Sequence, residues 1–291
     1  MYTLRKKEND MIRKRETEGL TERWNNGVLY FTFPMLDREQ LFVHGISSRI
    51  GGVSEREFAR MNLSFTRGDD PDHVRENYRR IAAAVGFDEK RVVCSHQTHT
   101  TNVRKVTEAD CGKGYDRERD YTDVDGLITN VPNVILTTYY ADCVPLFFVD
   151  PVHRAVGLSH SGWRGTVQDI AGVTVRAMKE HYSTDAKEIL AAIGPSICQD
   201  CYEVSEDVIE QFRSAYDSKL WPVLFTQGRE PGKYQLNLWE ACRQNLLRAG
   251  VLSEHIEVTD LCTCCNPDIF FSHRASHGRR GNLAAFLGIR P

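Results

Sequence analysis

Three short segments each carry a residue that zinc accepts as a ligand. They are His99 in His96-Gln97-Thr98-His99, Cys143 in Ala141-Asp142-Cys143-Val144-Pro145, and His160 in Ser159-His160-Ser161-Gly162-Trp163-Arg164-Gly165. Two imidazoles and one thiolate make a three-ligand set with a coordination position left open, as in catalytic rather than structural zinc sites. Such a set leaves Zn²⁺ with a net charge of about +1, enough to draw the pKa of a bound water from about 15.7 towards ~7. That is enzyme chemistry. Copper also suits imidazole and thiolate, and Cys143 with His160 or His99 as base would serve a cysteine hydrolase. A non-catalytic binding module is the least economical reading. Spacing does not choose among these, because the three residues lie on separate segments.

The elements around them place two of the three. Apolar runs at Val134 to Tyr140, Val144 to Val149 and Ala155 to Ser159 are short, rich in β-branched and aromatic residues, and separated by Asp or Pro turns, so they read as strands. Cys143 and His160 then sit at strand ends, where a side chain can project into a cleft, with Asp142 and Ser161 as polar neighbours. After Gly165, the residues Val167, Ile170, Thr174, Ala177, Met178 and His181 line one helical face, which puts His160 in a strand-to-helix turn.

Elsewhere, Val28 to Phe31 and Leu41 to His44 read as strands around a Pro34 turn. Val74, Tyr78, Ile81 and Val85 predict a helix started by Asp70-Pro71 and stopped by Gly86. Further helices are expected over Ser205 to Tyr216, capped by Ser205, and over Leu236 to Arg248, stopped by Gly250. Residues 105–123 are polar and aperiodic and predict a long surface loop near a site. The fold class expected is α+β, with mixed β-sheets packed with flanking helices in a single catalytic domain over residues 25–291. Residues 1–24 are highly charged and are expected to be a disordered or helical arm without a catalytic role.

The chain has 291 residues, ample for a buried core without disulfide support. Lys and Arg number 37 against 40 Asp and Glu, so no attraction to nucleic acid or to anionic membrane is implied and the partner is expected to be small. Nine cysteines, an odd number, accompany a charged N-terminus without the apolar stretch of about 7–15 residues that a secretory signal needs. A reducing, cytoplasmic setting is expected. No segment approaches the ~18 apolar residues of a membrane helix. Neither G-x-G-x-x-G nor a Walker motif occurs, nor an H-x-E followed by the P-C-x-x-C of zinc nucleobase deaminases. Cys198 and Cys201 form a C-x-x-C, and Cys262, Cys264 and Cys265 cluster later. They could bind a second, structural metal or form a redox bridge, and packed free thiols is the preferred reading.

An ordered series of motifs runs from about Phe42 to Leu287. It begins with His44-Gly45-Ile46-Ser47-Ser48-Arg49, Gly51-Gly52-Val53-Ser54, Met61-Asn62-Leu63 and Gly68-Asp69-Asp70-Pro71. It continues through Gln97-Thr98-His99, Asp125-Gly126 and the Cys143 and His160 segments. It ends with Ile193-Gly194-Pro195, Cys201-Tyr202-Glu203-Val204, Cys262-Thr263-Cys264-Cys265-Asn266 and Phe270-Phe271-Ser272-His273-Arg274. In these the chain resembles the FAMIN-like YfiH/laccase-domain family. His273 departs from a usual Tyr and Asn237 from a common Asp.

The resemblance implies a zinc site at His99, Cys143 and His160. It also implies phosphorolysis of adenosine, inosine and S-methyl-5′-thioadenosine, with phosphate as co-substrate, and adenosine deamination. An older label for the family, copper polyphenol oxidase or laccase, is a second reading at the same site. Multicopper enzymes use many His-X-His pairs, whereas this chain has ten histidines and no His-X-His. Phosphorolysis needs cationic and backbone donors for phosphate. Arg49, Arg164 and Arg274 are the expected donors, with Arg164 best placed because it opens a helix. For proton transfer Asp125, Asp142, Glu203 and His44 are the candidates.

Overall fold

Val144–Asp150 (VPLFFVD) is buried at every position, and its alternation shows why. Val144, Leu146 and Phe148 belong to one apolar cluster with helical residues such as Ile170, Val175 and Met178. Phe147 and Val149 belong to another with Phe31, Phe33, Leu136 and Leu287. A strand apolar on both faces has to lie between two layers, and the same holds for Ala155–Ser161 and Leu283–Ile289. The computed structural model, which describes residues 11–14 and 19–291, shows these layers.

Two six-stranded sheets stack face to face. The first runs in the order Thr21–Asn25, Val28–Thr32, Phe42–Ser47, Leu283–Ile289, Ile135–Tyr140, Val92–Cys94. The second runs Ile256–Val258, Leu190–Ile193, Val144–Asp150, Ala155–Ser161, Gly126–Thr129, Val103–Lys105. Both mix parallel and antiparallel pairs. The helix Pro71–Val85 covers the outer face of the first sheet. Ile170–Tyr182 and Leu238–Arg248 cover the second. A three-stranded sheet, Glu203–Ser205, Lys233–Leu236 and Phe225–Gln227, sits beside the helix Glu206–Ala215. This is the expected α+β class with flanking helices.

Local signals explain the boundaries. Asp70 accepts from Asp72 N at 2.8 Å ahead of Pro71, and Gly86 closes the helix at φ 95°. Asn237 Oδ1 accepts from Glu240 N at 3.1 Å and caps Leu238–Arg248, a task Asp performs equally well, so this departure from the family pattern is neutral for the fold. Ser205 sits at the N-cap of its helix but makes no side-chain cap bond; its hydroxyl donates to Asp207 instead. The helix expected after Gly165 is two helices, Trp163–Val167 and Ile170–Tyr182. Asp169, at φ 63°, interrupts them and caps the second through Gly172 N at 3.1 Å.

Two expectations are corrected. Residues 1–10 and 15–18 of the arm lie outside the described residues, but the rest of 1–24 is neither helix nor free of the domain. Thr21–Asn25 pairs with Val28–Thr32 across Asn26-Gly27, both at positive φ as a tight hairpin turn requires. Ile12 N donates to Asn266 Oδ1 at 2.7 Å, and Leu20 is buried. The segment 105–123 is not simply a surface loop either. Lys113 is buried, bonded to Asp110 at 2.8 Å and Asp120 at 2.9 Å, and anchors the segment.

Candidate active site

The three sequence-nominated ligands meet where strand ends of the two sheets converge. Ala141-Asp142-Cys143 carries the chain from the first sheet to the second, with Asp142 at φ 84° making the turn. That turn is held from three sides. Thr263 Oγ1 donates to Asp142 Oδ1 at 2.7 Å, Arg274 N to Asp142 Oδ2 at 2.7 Å, and Ile197 N to Asp142 O at 3.0 Å. Val144–Asp150 pairs with Ala155–Ser161 so that Pro145 faces His160, which sets Cys143 beside the imidazole. His160 thus lies within its strand, one residue from the end, rather than in the turn after it. His99 follows Val92–Cys94 in a loop and has φ 66°. The ligand atoms of His99, Cys143 and His160 lie within 4.8 Å of one another, with Cys143 Sγ 3.9 Å from His99 Nε2.

Asp125, fully buried, organises this cluster. One carboxylate accepts from Thr98 N at 3.0 Å, His99 N at 3.2 Å, Thr100 N at 2.9 Å and Thr100 Oγ1 at 3.0 Å. It is also 2.8 Å from His160 Nδ1. With Nδ1 so engaged, His160 presents Nε2 to the cluster, the arrangement that carboxylates impose on metal-binding histidines. Burial would raise the Asp125 pKa, but hydrogen bonding and the charge of His160 hold it below the usual carboxylate value. Burial pushes the Cys143 thiol up, yet the His160 charge and hydrogen bonds from both histidines bring it down to about 6. His160, which burial alone would lower, is lifted to about 9 by the Cys143 thiolate and Asp125. Gly162 completes the cradle: a Cβ there would stand 2.7 Å from His99 Cδ2 and 3.2 Å from Cys143 Sγ. A thiolate, two imidazoles, a fixed tautomer and cleared space suit a borderline-soft divalent ion.

The cluster opens into a cleft of about 390 Å³, lined among others by Phe65, Arg67, His96, Arg119, Tyr139 and Arg280. Its arginines are not those the sequence nominated. Arg49 lies elsewhere, its guanidinium donating to Ala59 O and Pro267 O (2.8 Å to the latter) over the Phe271 ring. It is a structural clamp. Arg274 is also committed, to Cys201 O at 2.9 Å and Glu203 O at 3.0 Å. Arg164 is exposed, stacked on Trp163 at 4.3 Å, outside the cleft lining. His44 is buried against Phe33 and Phe147 in a different pocket, where Nε2 accepts from Phe33 N at 2.9 Å. Burial lowers its pKa to about 4, so it is neutral, and it lies outside the cleft lining. Of the nominated proton carriers, Asp125 and Asp142 are consumed as anchors, and Glu203 accepts from Arg229 N at 3.2 Å outside the cleft.

Sequence reasoning missed Arg67, Arg119 and Arg280. Arg280 is partly buried and its Nε is without a hydrogen-bond partner. Burial and the nearby Arg67 charge lower its pKa to about 10. Arg67 and Arg280 line the same cleft, and positive charge placed there, only partly offset by Asp142 and Cys143, suits an anion. Signals existed: Arg67 directly precedes Gly68-Asp69-Asp70-Pro71, and Arg280 lies in Gly278-Arg279-Arg280-Gly281. Neither says which arginine turns inwards.

Residues 43–290 match the family model described as multi-copper polyphenol oxidoreductase laccase. The chain belongs to this laccase-domain family. It is 40% identical over 249 residues to the purine nucleoside phosphorylase YlmD of Geobacillus stearothermophilus, covering 85% of this chain and 90% of that one. The crystal structure of YlmD from the same organism superposes with a TM-score of 0.84 at 37% identity, over 97% of this chain and all of that one (100%). That of the Bacillus licheniformis protein YfiH gives 0.85 at 33% identity, over 92% and 99%.

The family's multi-copper label is not reflected in this laccase-domain chain's donor groups. Among the described residues, two groups of three or more His, Cys, Asp or Glu could hold an ion: the His99/Cys143/His160 triad and a cluster of four cysteines. Several copper centres would need many more clustered histidines.

Proposed function

We propose that this protein is a zinc-dependent purine nucleoside phosphorylase, acting on adenosine, inosine and S-methyl-5′-thioadenosine, that also deaminates adenosine. The observation that carries the reading is one cleft holding both the His99/Cys143/His160 donor set and the Arg67/Arg280 pair. The relatives named purine nucleoside phosphorylase support it. His99, Cys143 and His160 would hold the ion, which when bound supplies Lewis acidity at its open position.

Phosphorolysis breaks the N-glycosidic bond, joins a phosphate oxygen to the anomeric carbon, and leaves the electron pair on a purine that takes up a proton. Arg67 and Arg280 bind the phosphate by charge-assisted bonds that satisfy the unpartnered Arg280 Nε. Phe65 and Tyr139 offer ring surface to the base. His96 Nδ1 accepts from Asp123 N at 3.2 Å, which leaves the proton on Nε2 for donation inside the cleft. Asp125 holds His160 in place throughout.

The test is incubation with adenosine, with and without phosphate, resolving adenine, hypoxanthine, inosine and ribose 1-phosphate by chromatography. Phosphate-dependent adenine release, with inosine from the parallel deamination, is expected, both lost in His160→Ala. Phenol oxidation by copper-loaded protein without base release would favour the oxidase reading. A covalent adduct at Cys143 in metal-free protein turning over an ester or amide would favour the hydrolase.

A further inference from the structure

Four of the nine cysteines meet far from any expectation of isolated packed thiols. The parallel pairing of Leu190–Ile193 with Ile256–Val258 delivers two loops at the same sheet end. A bridge between Ser196 and Cys262, with Thr263 N donating to Ser196 O at 3.1 Å, keeps the loops side by side. Each loop carries a C-x-x-C: Cys198 with Cys201, and Cys262 with Cys265. Their four sulfurs lie within 4.8 Å of one another. Cys265 Sγ is 3.9 Å from Cys198 Sγ and 3.4 Å from Cys201 Sγ.

We propose that Cys198, Cys201, Cys262 and Cys265 form a second metal site, a closed tetrathiolate that binds a structural Zn²⁺. A zinc–sulfur bond of ~2.3 Å in a tetrahedron sets its sulfurs about 3.8 Å apart, between the 3.4 Å and 3.9 Å separations found here. A disulfide needs two sulfurs at about 2.05 Å and would leave the other two thiols crowded against it. The backbone is prepared for thiolate: Cys262 Sγ accepts from Cys198 N at 3.2 Å and Cys265 N at 3.4 Å. Four thiolates around a divalent ion leave a net charge of about −2, and the Lys14 ammonium, paired with Asp200 at 3.0 Å, lies beside the cluster. Four protein ligands leave no open position, so the role is to fix structure. What it fixes is close at hand. Thr263, inside the second C-x-x-C, and Ile197, next to Cys198, both hold Asp142, whose neighbour is Cys143. Arg274 joins Cys201 O to Asp142 Oδ2. The ion would thus brace the turn that presents the cleft thiolate. The inference stands whether or not the protein is a phosphorylase.

The experiment is elemental analysis of the full chain, purified under reducing conditions, alongside His99→Ala/His160→Ala and Cys198→Ser/Cys265→Ser. Two zinc ions per chain are expected in wild type and one in each double variant. X-ray absorption of the His99→Ala/His160→Ala protein reads the remaining ion directly, with four sulfur neighbours at ~2.3 Å, and decides the matter even if the serine variant fails to fold. Zinc-free His99→Ala/His160→Ala protein in which all nine thiols react with a thiol reagent would overturn the proposal. So would iron in place of zinc, or an intact mass lower by two hydrogens, which marks a disulfide.

Discussion

Replacing Gly162 by Ala tests the geometry of the triad with a single methyl group. The backbone there has φ −76° and ψ 175°, a region open to any residue, so alanine costs the main chain little. The side chain is the problem. Its Cβ would meet His99 Cδ2 at 2.7 Å, Cys143 Sγ at 3.2 Å and His99 Nε2 at 3.4 Å. Ordinary contact begins near 3.4 Å, so the His99 ring has to retreat by roughly 0.7 Å while its backbone stays tied to Asp125. A misplacement of ~1 Å costs on the order of 10²-fold in rate, and disturbed support of a ligand costs about 10–100-fold in metal affinity. The assays are zinc competition against a chromophoric chelator, steady-state adenosine phosphorolysis, and a thermal melt as the folding control. We expect an intact melt, zinc affinity down by at least about tenfold and kcat down by on the order of 10²-fold. Affinity and kcat both within about twofold of wild type, well short of those losses, would refute the triad geometry.

Four further outcomes follow from other features. Arg280→Met should raise the KM for phosphate by about 10–150-fold, the equivalent of a lost charge-assisted bond of ~1.5–3 kcal/mol. Arg49→Met should leave that KM unchanged and lower the melting temperature, because Arg49 ties Ala59 to Pro267; steady-state kinetics and melts of both variants check this contrast. Burial lowers the His44 pKa from 6.5 to about 4. The unfolded chain therefore binds the extra proton first, and this stability, present in full above pH 6.5, is lost as pH falls towards 4. At 1.36 kcal/mol per pH unit the loss reaches at most about 3 kcal/mol. Glu257, raised by burial to about 7, works in the opposite sense, so the readout is the difference between wild type and His44→Gln in urea melts at pH 7 and pH 4.5. Between pH 7 and pH 4.5 the variant should lose less stability than wild type, or gain where wild type loses. Phe147→Ala should cost about 3–5 kcal/mol in the same melts, since the ring is fully buried and packs edge-on to Phe33 at 5.4 Å.

Much of this architecture is legible in the chain. The strands around Cys143 and His160 announce themselves as short β-branched and aromatic runs, and Asp70-Pro71 with Gly86 mark a helix to within a residue. The Asn26-Gly27 pair is a strong hairpin signal, yet the charge of the surrounding segment masks it as an arm. His99, Cys143 and His160 could be nominated among ten histidines and nine cysteines because Cys143 and His160 stand at strand ends and all three lie in the ordered motifs, not because of residue type alone. The arginines could not, because a guanidinium's role depends on where a long side chain ends: Arg49 finishes on carbonyls, while Arg280 finishes in the cleft. The same limit applies to Asp125 and Asp142, which look like acid–base groups and serve as anchors. It applies again to Cys262 and Cys265, whose pairing with Cys198 and Cys201 arises only when two parallel strands bring distant loops together.

The most direct measurement is a titration of metal-free wild-type protein and Cys143→Ala with zinc, and separately with copper, reading ribose 1-phosphate formed from inosine and phosphate. The account predicts that zinc restores product formation in wild type, that no product forms without phosphate, and that Cys143→Ala stays inactive while folded. Full activity in metal-free protein, or a Cys143→Ala variant as active as wild type, would contradict it.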